Sequence, residues 1–212
     1  MIRAGLGPHR NCDQPLAWLA DRLARQDSRG HELREPGMEE MIDIAALRSS
    51  VADVLAKECD LEAVVRHTAH NTGPLMPLWA TASALGWMAL AIPEQHGGLG
   101  LDVDALVPVY EELGRRAAPL PYLTTMLAAD CLGRMAPPDR QAEWLPRIAA
   151  GDIATLSAPL PVTPACLTLR KQGDHIVLAG EAPDLVDARD AAMILVTAID
   201  EGGVTWRVLI ES

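Results

Sequence analysis

The stretch LGWMALAIPEQHGGLGLD, residues 85–102, joins a short apolar segment to a glycine-rich loop. An upstream helix can end at Gly86, because glycine adopts the left-handed backbone conformation at little cost. Further along, the consecutive glycines Gly97 and Gly98 permit positive φ, so that the chain can turn tightly between two packed helices. The stretch therefore predicts a structural loop inside a helical domain.

The alternative for this loop is a phosphate cradle, because glycine-rich loops expose backbone amides to anions. The segment from Pro93 to Gly100 lacks the G-x-G-x-x-G and G-K-[ST] patterns, and no segment of clear β character precedes it. A structural turn is therefore the favoured interpretation, and phosphate binding stays open as the minority alternative.

Helical periodicity surrounds the loop on both sides. Apolar residues over 44–55 recur at three- and four-residue steps and predict a core-facing helix, which a shorter helix follows over 78–85. Downstream, Pro121 and Pro138 can each open a helix, and Gly151 can end the second of them. The pattern indicates an all-helical domain.

One further helix is predicted over 106–113, where the apolar residues fall on one face. Asp102 can cap this helix, whereas Pro108 sits inside the pattern and removes a backbone donor. A kink near Pro108 is therefore expected.

Beyond the last helix the periodicity becomes that of strands. The strand segments are 167–169, 176–178, 193–197 and 204–210, and a turn at Gly202 and Gly203 joins the last two. Three or four strands with open edges make a poor independent fold.

The predicted fold class is α+β, with two parts and an extension. An all-α N-terminal domain over 38–152 is followed by an incomplete antiparallel β-domain over 153–212. Residues 1–37 are rich in Arg, Asp, Gly and His and are predicted to be a disordered extension, with Met38 or Met41 as a natural start.

Charge argues against nucleic acid as a partner. The chain of 212 residues has 29 Asp and Glu against 18 Lys and Arg, for a formal net charge of −11. Apolar residues make up 49% of the chain, but aromatic residues only 3%, with no Phe. The core is therefore expected to consist of aliphatic side chains with Trp as the few large anchors.

The cysteines favour a reducing compartment. Cys12, Cys59, Cys131 and Cys166 are widely scattered, with no spacing typical of a disulfide framework or a zinc site. No apolar run approaches the length that spans a bilayer, and the N-terminus lacks the apolar region of a secretory signal. The expected location is the cytoplasm, with no membrane partner.

The stretch 85–102 resembles the signature of the acyl-CoA dehydrogenase N-terminal domain. In that family a helix ends at Gly, and a short apolar segment leads into a Pro-Glu-x-x-Gly-Gly-x-Gly loop. The resemblance continues through VYEELGR at 109–115 and QAEWLPRIAAGD at 141–152. It extends more weakly to GDHIVLAGEA at 173–182, which is similar to a degenerate strand of the family's middle β-domain.

The resemblance implies FAD-linked α,β-dehydrogenation of an acyl-CoA thioester in lipid or steroid catabolism. In the family a carboxylate base removes the α-proton while the β-hydride goes to flavin N5, and the base lies in the C-terminal domain. The sequence stops inside the β-domain, so no catalytic residue is assigned. The resemblance thus implies a non-autonomous or helper subunit that forms a homo- or hetero-oligomer with an acyl-CoA dehydrogenase-like subunit. A truncated remnant or a protein-interaction module is the alternative.

The resemblance also implies where FAD would be held. The family grips FAD with a Thr/Ser-Glu-Pro-x-x-Gly-Ser-Asp segment, which here reads TLSAPLPVTPAC at 155–166. Its first hydroxyls, Thr155 and Ser157, are the implied cofactor-binding residues. The strand that normally presents an aromatic residue and a Thr to the flavin reads APDLVDARDA at 182–191 and has neither in place.

Two other groups of titratable residues invite a catalytic or metal interpretation. Glu111 and Glu112 are adjacent on a helix and point about 100° apart, so both are predicted to be solvated rather than an acid/base pair. His67 and His70 lie three residues apart, but no third ligand is evident, so a surface pair is predicted and no metal site.

Overall fold

The computed structural model describes residues 2–3, 8–9, 43–70, 73–157, 167–172, 175–182 and 185–212. The extension predicted over 1–37 lies outside the described residues, apart from two short strands at its start. The segment 155–166, implied to hold FAD, is described as far as Ser157.

The helices form where the periodicity predicts them, with one addition. They are α1 (Ile44–Glu58), α2 (Leu61–His70), α3 (Met76–Ala84), α4 (Val107–Arg115), α5 (Tyr122–Met135) and α6 (Pro138–Ala149). The Asp43 carboxylate begins α1 by accepting hydrogen bonds from the amides of Ala45 and Ala46 at 2.9 and 3.1 Å. Within the described residues, no helix combines the length and the apolarity needed to cross a membrane.

Helix α2 is the addition, and the sequence pattern does not predict it. Val64 is buried, whereas Leu61 and Val65 are exposed, so the apolar stripe is too narrow to give a helical signal. The Asp60 carboxylate begins the helix by accepting a hydrogen bond from the Ala63 amide at 2.6 Å.

The predicted kink at Pro108 is wrong. Helix α4 begins at Val107, so Pro108 lies in the first turn, where a backbone donor has no helical partner in any case. The predicted cap is also wrong, because Asp102 precedes a separate 3-10 turn over Val103–Ala105 and makes no side-chain capping bond.

The glycine loop, residues 93–100, folds back on the apolar segment before it. The Gly100 amide donates to the Ile92 carbonyl at 2.8 Å, and the Leu101 amide donates to the Leu90 carbonyl at 2.9 Å. Gly97 has a φ of 84°, as the turn requires. Because these amides bond within the chain, the geometry supports the structural turn over the phosphate cradle.

The strands of the described residues form one seven-stranded sheet, five strands of which follow the helices and two of which come from the start of the chain. Its strands are β1 (Ile2–Arg3), β2 (Pro8–His9), β3 (Ala154–Leu156), β4 (Leu167–Gln172), β5 (His175–Gly180), β6 (Met193–Asp200) and β7 (Thr205–Glu211). The order is β1-β7-β6-β4-β5, with β2 also paired to β7 and β3 also paired to β6. The fold is α+β, as predicted.

The prediction of an antiparallel sheet is correct for the two hairpins and wrong for the pairs that β6 makes with β3 and β4. β4 pairs antiparallel with β5, and β6 pairs antiparallel with β7, whereas β3 and β4 both run parallel to β6. The reason lies in the connectivity, because the β4–β5 hairpin separates β3 from β6 in the chain and supplies the crossover that a parallel pair needs.

Strand β6 is buried on both faces and joins two cores. Met193 and Leu195 belong to the large core of the helices, whereas Val196 and Ala198 belong to a smaller core behind the sheet. This double burial explains why the sequence of β6 is a continuous apolar run.

Three of the large anchors in the helical core are tryptophans, Trp79, Trp87 and Trp144.

Candidate functional site

The candidate site lies where β3 meets α5 and the segment 185–190. The Thr155 hydroxyl donates to the Val186 carbonyl at 2.6 Å, and the Thr124 hydroxyl of α5 donates to the Asp187 carboxylate at 3.0 Å. The structure thus brings together the two segments that the resemblance assigns to the flavin. We call this region the β3 junction.

Thr155, one of the two implied cofactor residues, is fully covered in this structure. A hydroxyl carries one hydrogen, and that of Thr155 is donated to Val186 across 31 residues of chain. The hydroxyl therefore ties β3 to the segment after β5. A flavin contact by Thr155 stays a prediction.

Ser157, the second implied residue, lies at the point where the chain leaves the sheet. Its amide donates to the Leu195 carbonyl at 2.8 Å, and its carbonyl accepts from Nη1 of Arg207 at 3.3 Å. The residue is 8% exposed. The peptide groups on both sides of Ser157 are thus held, and its flavin contact also stays a prediction.

Arg207 is a residue of this junction that the sequence pattern does not single out. The pattern shows only an alternating strand, in which a long charged residue is expected to be solvated. In the structure Arg207 is half-buried and also donates a hydrogen bond to the Thr197 hydroxyl, which faces it on β6. A single basic residue between the apolar residues Trp206 and Val208 was the available signal.

Beside the junction, α5 carries an apolar surface that the described residues leave bare. Leu123 and Leu127 lie one helical turn apart and are 55% and 47% exposed. Val186, 59% exposed, is next to Asp187, which is bonded to the same helix. We call these three side chains the α5 surface and treat it as a candidate contact site.

Glu112 is buried, so the prediction that it is solvated is wrong. Its carboxylate pairs with Arg48 of α1 and Arg115 of α4, each at 3.3 Å, and Glu111, which is exposed, also pairs with Arg48. The two carboxylates therefore meet at the Arg48 guanidinium and link α1 to α4.

The histidine pair also lies away from the β3 junction. Nε2 of His67 is 3.0 Å from the carbonyl oxygen of Gly73, and His70 is exposed at the end of α2. In the part of the chain that the structure describes, no three His, Cys, Asp or Glu side chains come together as a metal site would require.

Among the described residues, the β3 junction does not present a complete set of donors for a flavin. The Thr155 hydroxyl is donated within the protein, and residues 158–166 lie outside the described part of the chain. Val186 contributes a carbonyl that is already accepting a hydrogen bond. The rest of any flavin grip must come from other residues.

A family model for the acyl-CoA dehydrogenase N-terminal domain matches residues 43–152, just over half of the 212 residues. The matched region coincides with helices α1 to α6 and ends before β3.

Individual relatives agree with this match. Acyl-CoA dehydrogenase IpdE2 of Mycobacterium tuberculosis is 39% identical over 97 residues, which cover 45% of this chain and 30% of IpdE2. The ChsE4-ChsE5 complex of the same species has a TM-score of 0.70 at 24% identity, covering 81% of this chain and 48% of that one. A variant of the Tcur3481-Tcur3483 steroid ACAD gives 0.69 at 24% identity, covering 79% and 47%.

These likenesses establish the fold of the two described parts. The chain spans about a third of the length of IpdE2 and about half of each solved chain.

Proposed function

Since this chain belongs to the acyl-CoA dehydrogenase family, we propose that it is a non-autonomous subunit of an FAD-linked acyl-CoA dehydrogenase. A related subunit completes the flavin site and supplies the carboxylate base, and the substrate is an acyl-CoA thioester. FAD, when bound, supplies the hydride acceptor. This chain contributes the helical domain and the β3 junction.

The observation that carries the proposal is the α5 surface beside the β3 junction. A protein that works alone covers an apolar group of this kind, or uses it to bind a ligand or a partner. Here the surface adjoins the two segments that the resemblance assigns to the flavin, through the Thr124–Asp187 bond. A partner that covers α5 would therefore also close the flavin site.

The Thr155 hydroxyl bond supports a shared flavin site, because this implied residue holds the junction together instead of presenting its hydrogen to a cofactor. Two solved relatives are named as pairs of proteins, ChsE4-ChsE5 and Tcur3481-Tcur3483, which supports an assembly of related subunits by analogy of fold.

The test is co-expression with acyl-CoA dehydrogenase-like subunits encoded nearby, followed by size-exclusion chromatography and a visible spectrum. We expect a complex that shows flavin absorption bands and dehydrogenates acyl-CoA thioesters, and a colourless product from this chain alone. Leu127→Glu should prevent the complex, because a charge would have to be buried without a partner. Val103→Glu, at a site that is 60% exposed in the 3-10 turn after the glycine loop, is the matched control and should assemble normally.

The second candidate function is a protein-interaction module without chemistry. The covered Thr155 hydroxyl favours it, because the junction is complete without a ligand at that position. A complex that forms through the α5 surface but stays colourless and inactive would support the module and reject the dehydrogenase subunit.

A further inference from the structure

The apolar line of the α5 surface continues along α5 toward the sheet. Leu123 and Leu127 are one helical turn apart, and Cys131 follows one turn later on the same side of the helix, where it is partly buried. At the Leu123 end stands the Asp187 carboxylate, which accepts a hydrogen bond from the Thr124 hydroxyl. The line therefore begins beside a negative charge.

Arg207 supplies a positive charge at the Cys131 end of this line. Arg207 is two positions from Leu209, which packs in the helical core, so the two side chains leave β7 on the same face, toward the helices. Burial raises the pKa of the Cys131 thiol, and the charge of the neighbouring Arg207 partly offsets the rise. The apolar line of α5 thus runs between a carboxylate and a guanidinium.

The Arg207 guanidinium is only partly used by the contacts that the structure describes. Nη1 donates to the Thr197 hydroxyl and to the Ser157 carbonyl, the latter at 3.3 Å, and both acceptors are neutral. In the described part of the chain, no Asp or Glu oxygen lies within 4.0 Å of the guanidinium nitrogens. Nε and Nη2 can therefore donate to a further acceptor, and a carboxylate accepts from two guanidinium nitrogens at once.

A partner that covers the α5 surface would also cover Arg207. Three half-exposed apolar side chains are too few for a stable interface, which buries about 800 Å² on each partner, and under the proposed function the interface extends toward the β3 junction. Arg207 is half-buried there, and a partner would remove its remaining access to water. A buried charge is costly unless it is paired and hydrogen-bonded, so a partner that fits this surface must bring a carboxylate.

We propose that an amphipathic helix of the related subunit covers the α5 surface and places an Asp or Glu against Arg207. The inference rests on the proposed function for the identity of the partner, and on the charges of this chain for the chemistry of the contact. A helix fits because side chains one turn apart on α5 form a ridge that packs into the groove of a second helix. The Asp187 carboxylate favours a basic residue at the opposite end of that helix, which fixes its direction.

The ion pair is tested by zero-length cross-linking in the complex co-expressed with acyl-CoA dehydrogenase-like subunits encoded nearby. Arg207→Lys keeps the charge and introduces an amine, which a water-soluble carbodiimide joins to a carboxylate in contact with it. The chain has only two lysines of its own, Lys57 and Lys171, so mass spectrometry can assign the new link. We expect a link from position 207 to an Asp or Glu of the partner. Arg170→Lys is the matched control and should link to Glu201 of the same chain, whose carboxylate lies 3.4 Å from Arg170.

The affinity of the complex gives a second measurement. Arg207→Glu should weaken the complex about hundredfold, because two carboxylates would then face each other in the interface, whereas Arg207→Lys should weaken it less than about tenfold. Arg170→Glu, at an exposed arginine on β4, should assemble as the wild type does. Circular dichroism of each variant alone shows whether it folds, and the cross-link of Arg207→Lys decides the pairing even where Arg207→Glu does not fold.

The outcomes separate this contact from the proposed function. A link from position 207 to a carboxylate of this chain, or to a second copy of it, would overturn the partner carboxylate, and so would a folded Arg207→Glu chain that assembles with wild-type affinity. A cross-linked complex that stays colourless supports the contact and counts against the flavin role alone. A flavin-containing complex without the link rejects the contact and leaves the proposed function standing. If the wild-type chain forms no complex, both are rejected.

Discussion

Replacing Gly98 by Ala would place a methyl group inside the backbone of Ile92. The added carbon would overlap the Ile92 carbonyl oxygen and lie 2.5 Å from its carbonyl carbon and 2.7 Å from its Cβ, whereas ordinary contact begins at 3.4 Å. Ile92 is buried and cannot retreat. The glycine loop would therefore have to move outward by about 1 Å or more.

Such a movement breaks the bonds that hold the loop. The Gly100–Ile92 and Leu101–Leu90 backbone bonds, at 2.8 and 2.9 Å, both depend on the close approach. Each contributes about 1 kcal/mol, and overpacking adds about 1 to 3 kcal/mol, so we expect Gly98→Ala to lower the free energy of unfolding by about 3 kcal/mol. That is a large part of the roughly 5 to 15 kcal/mol typical of a whole domain.

Urea unfolding followed by tryptophan fluorescence measures this change, because Trp87 is buried near the loop. Gly133→Ala in α5 is the matched control: nothing lies within 4 Å of the added carbon, and the helical position should gain up to about 1 kcal/mol. Equal stability of Gly98→Ala and the wild type would refute the close-approach argument, as would equal losses in the two variants.

Three further predictions concern the β3 junction and pH. Thr155→Val should cost about 1 kcal/mol in urea unfolding by removing the bond that ties β3 to the segment after β5, whereas Thr168→Val, at an exposed strand position, should cost less. Burial raises the pKa of Tyr110 to about 12, so its stabilising contribution is present below pH 10 and is lost as the pH rises through 12. Ultraviolet titration of the wild type should show this raised pKa, and the unfolding free energy of Tyr110→Phe should depend less on pH in this range than that of the wild type. The Trp206 indole and backbone amides lower the pKa of Asp200, so its contribution is present above pH 3.8 and is lost as the pH falls further; Asp200→Asn should unfold with a weaker acid dependence.

The local features of the fold could be predicted because glycine and proline act over a few residues. Gly86 ends α3 with a φ of 77°, and Pro138 begins α6, as their neighbours in the sequence predict. Helix α2 could not be predicted from the pattern, since it buries little. Strand β3 has three residues and could not be distinguished from a loop, because its partner β6 lies nearly 40 residues further along the chain.

The two segments of the candidate site could be identified from the sequence, but the contact between them could not. The resemblance identifies 155–157 and 182–191 separately, but the Thr155–Val186 bond joins residues that are 31 positions apart. The burial of Glu112 was hidden for the same reason, because its partner Arg48 lies 64 residues away on another helix. Single-residue roles at such sites depend on long-range contacts that local periodicity does not encode.

The size of the α5 surface limits what it can do in an assembly. Fully burying an exposed Leu or Val side chain contributes about 1.5 to 3 kcal/mol, so three half-exposed side chains contribute about 3 kcal/mol together. An association of that strength has a Kd weaker than about 1 mM. The α5 surface can therefore be only the centre of an interface, and a stable complex must bury about 800 Å² on this chain. Under the proposed function, a partner that completes the flavin site would approach the β3 junction, so we expect the additional area to extend from α5 across that junction.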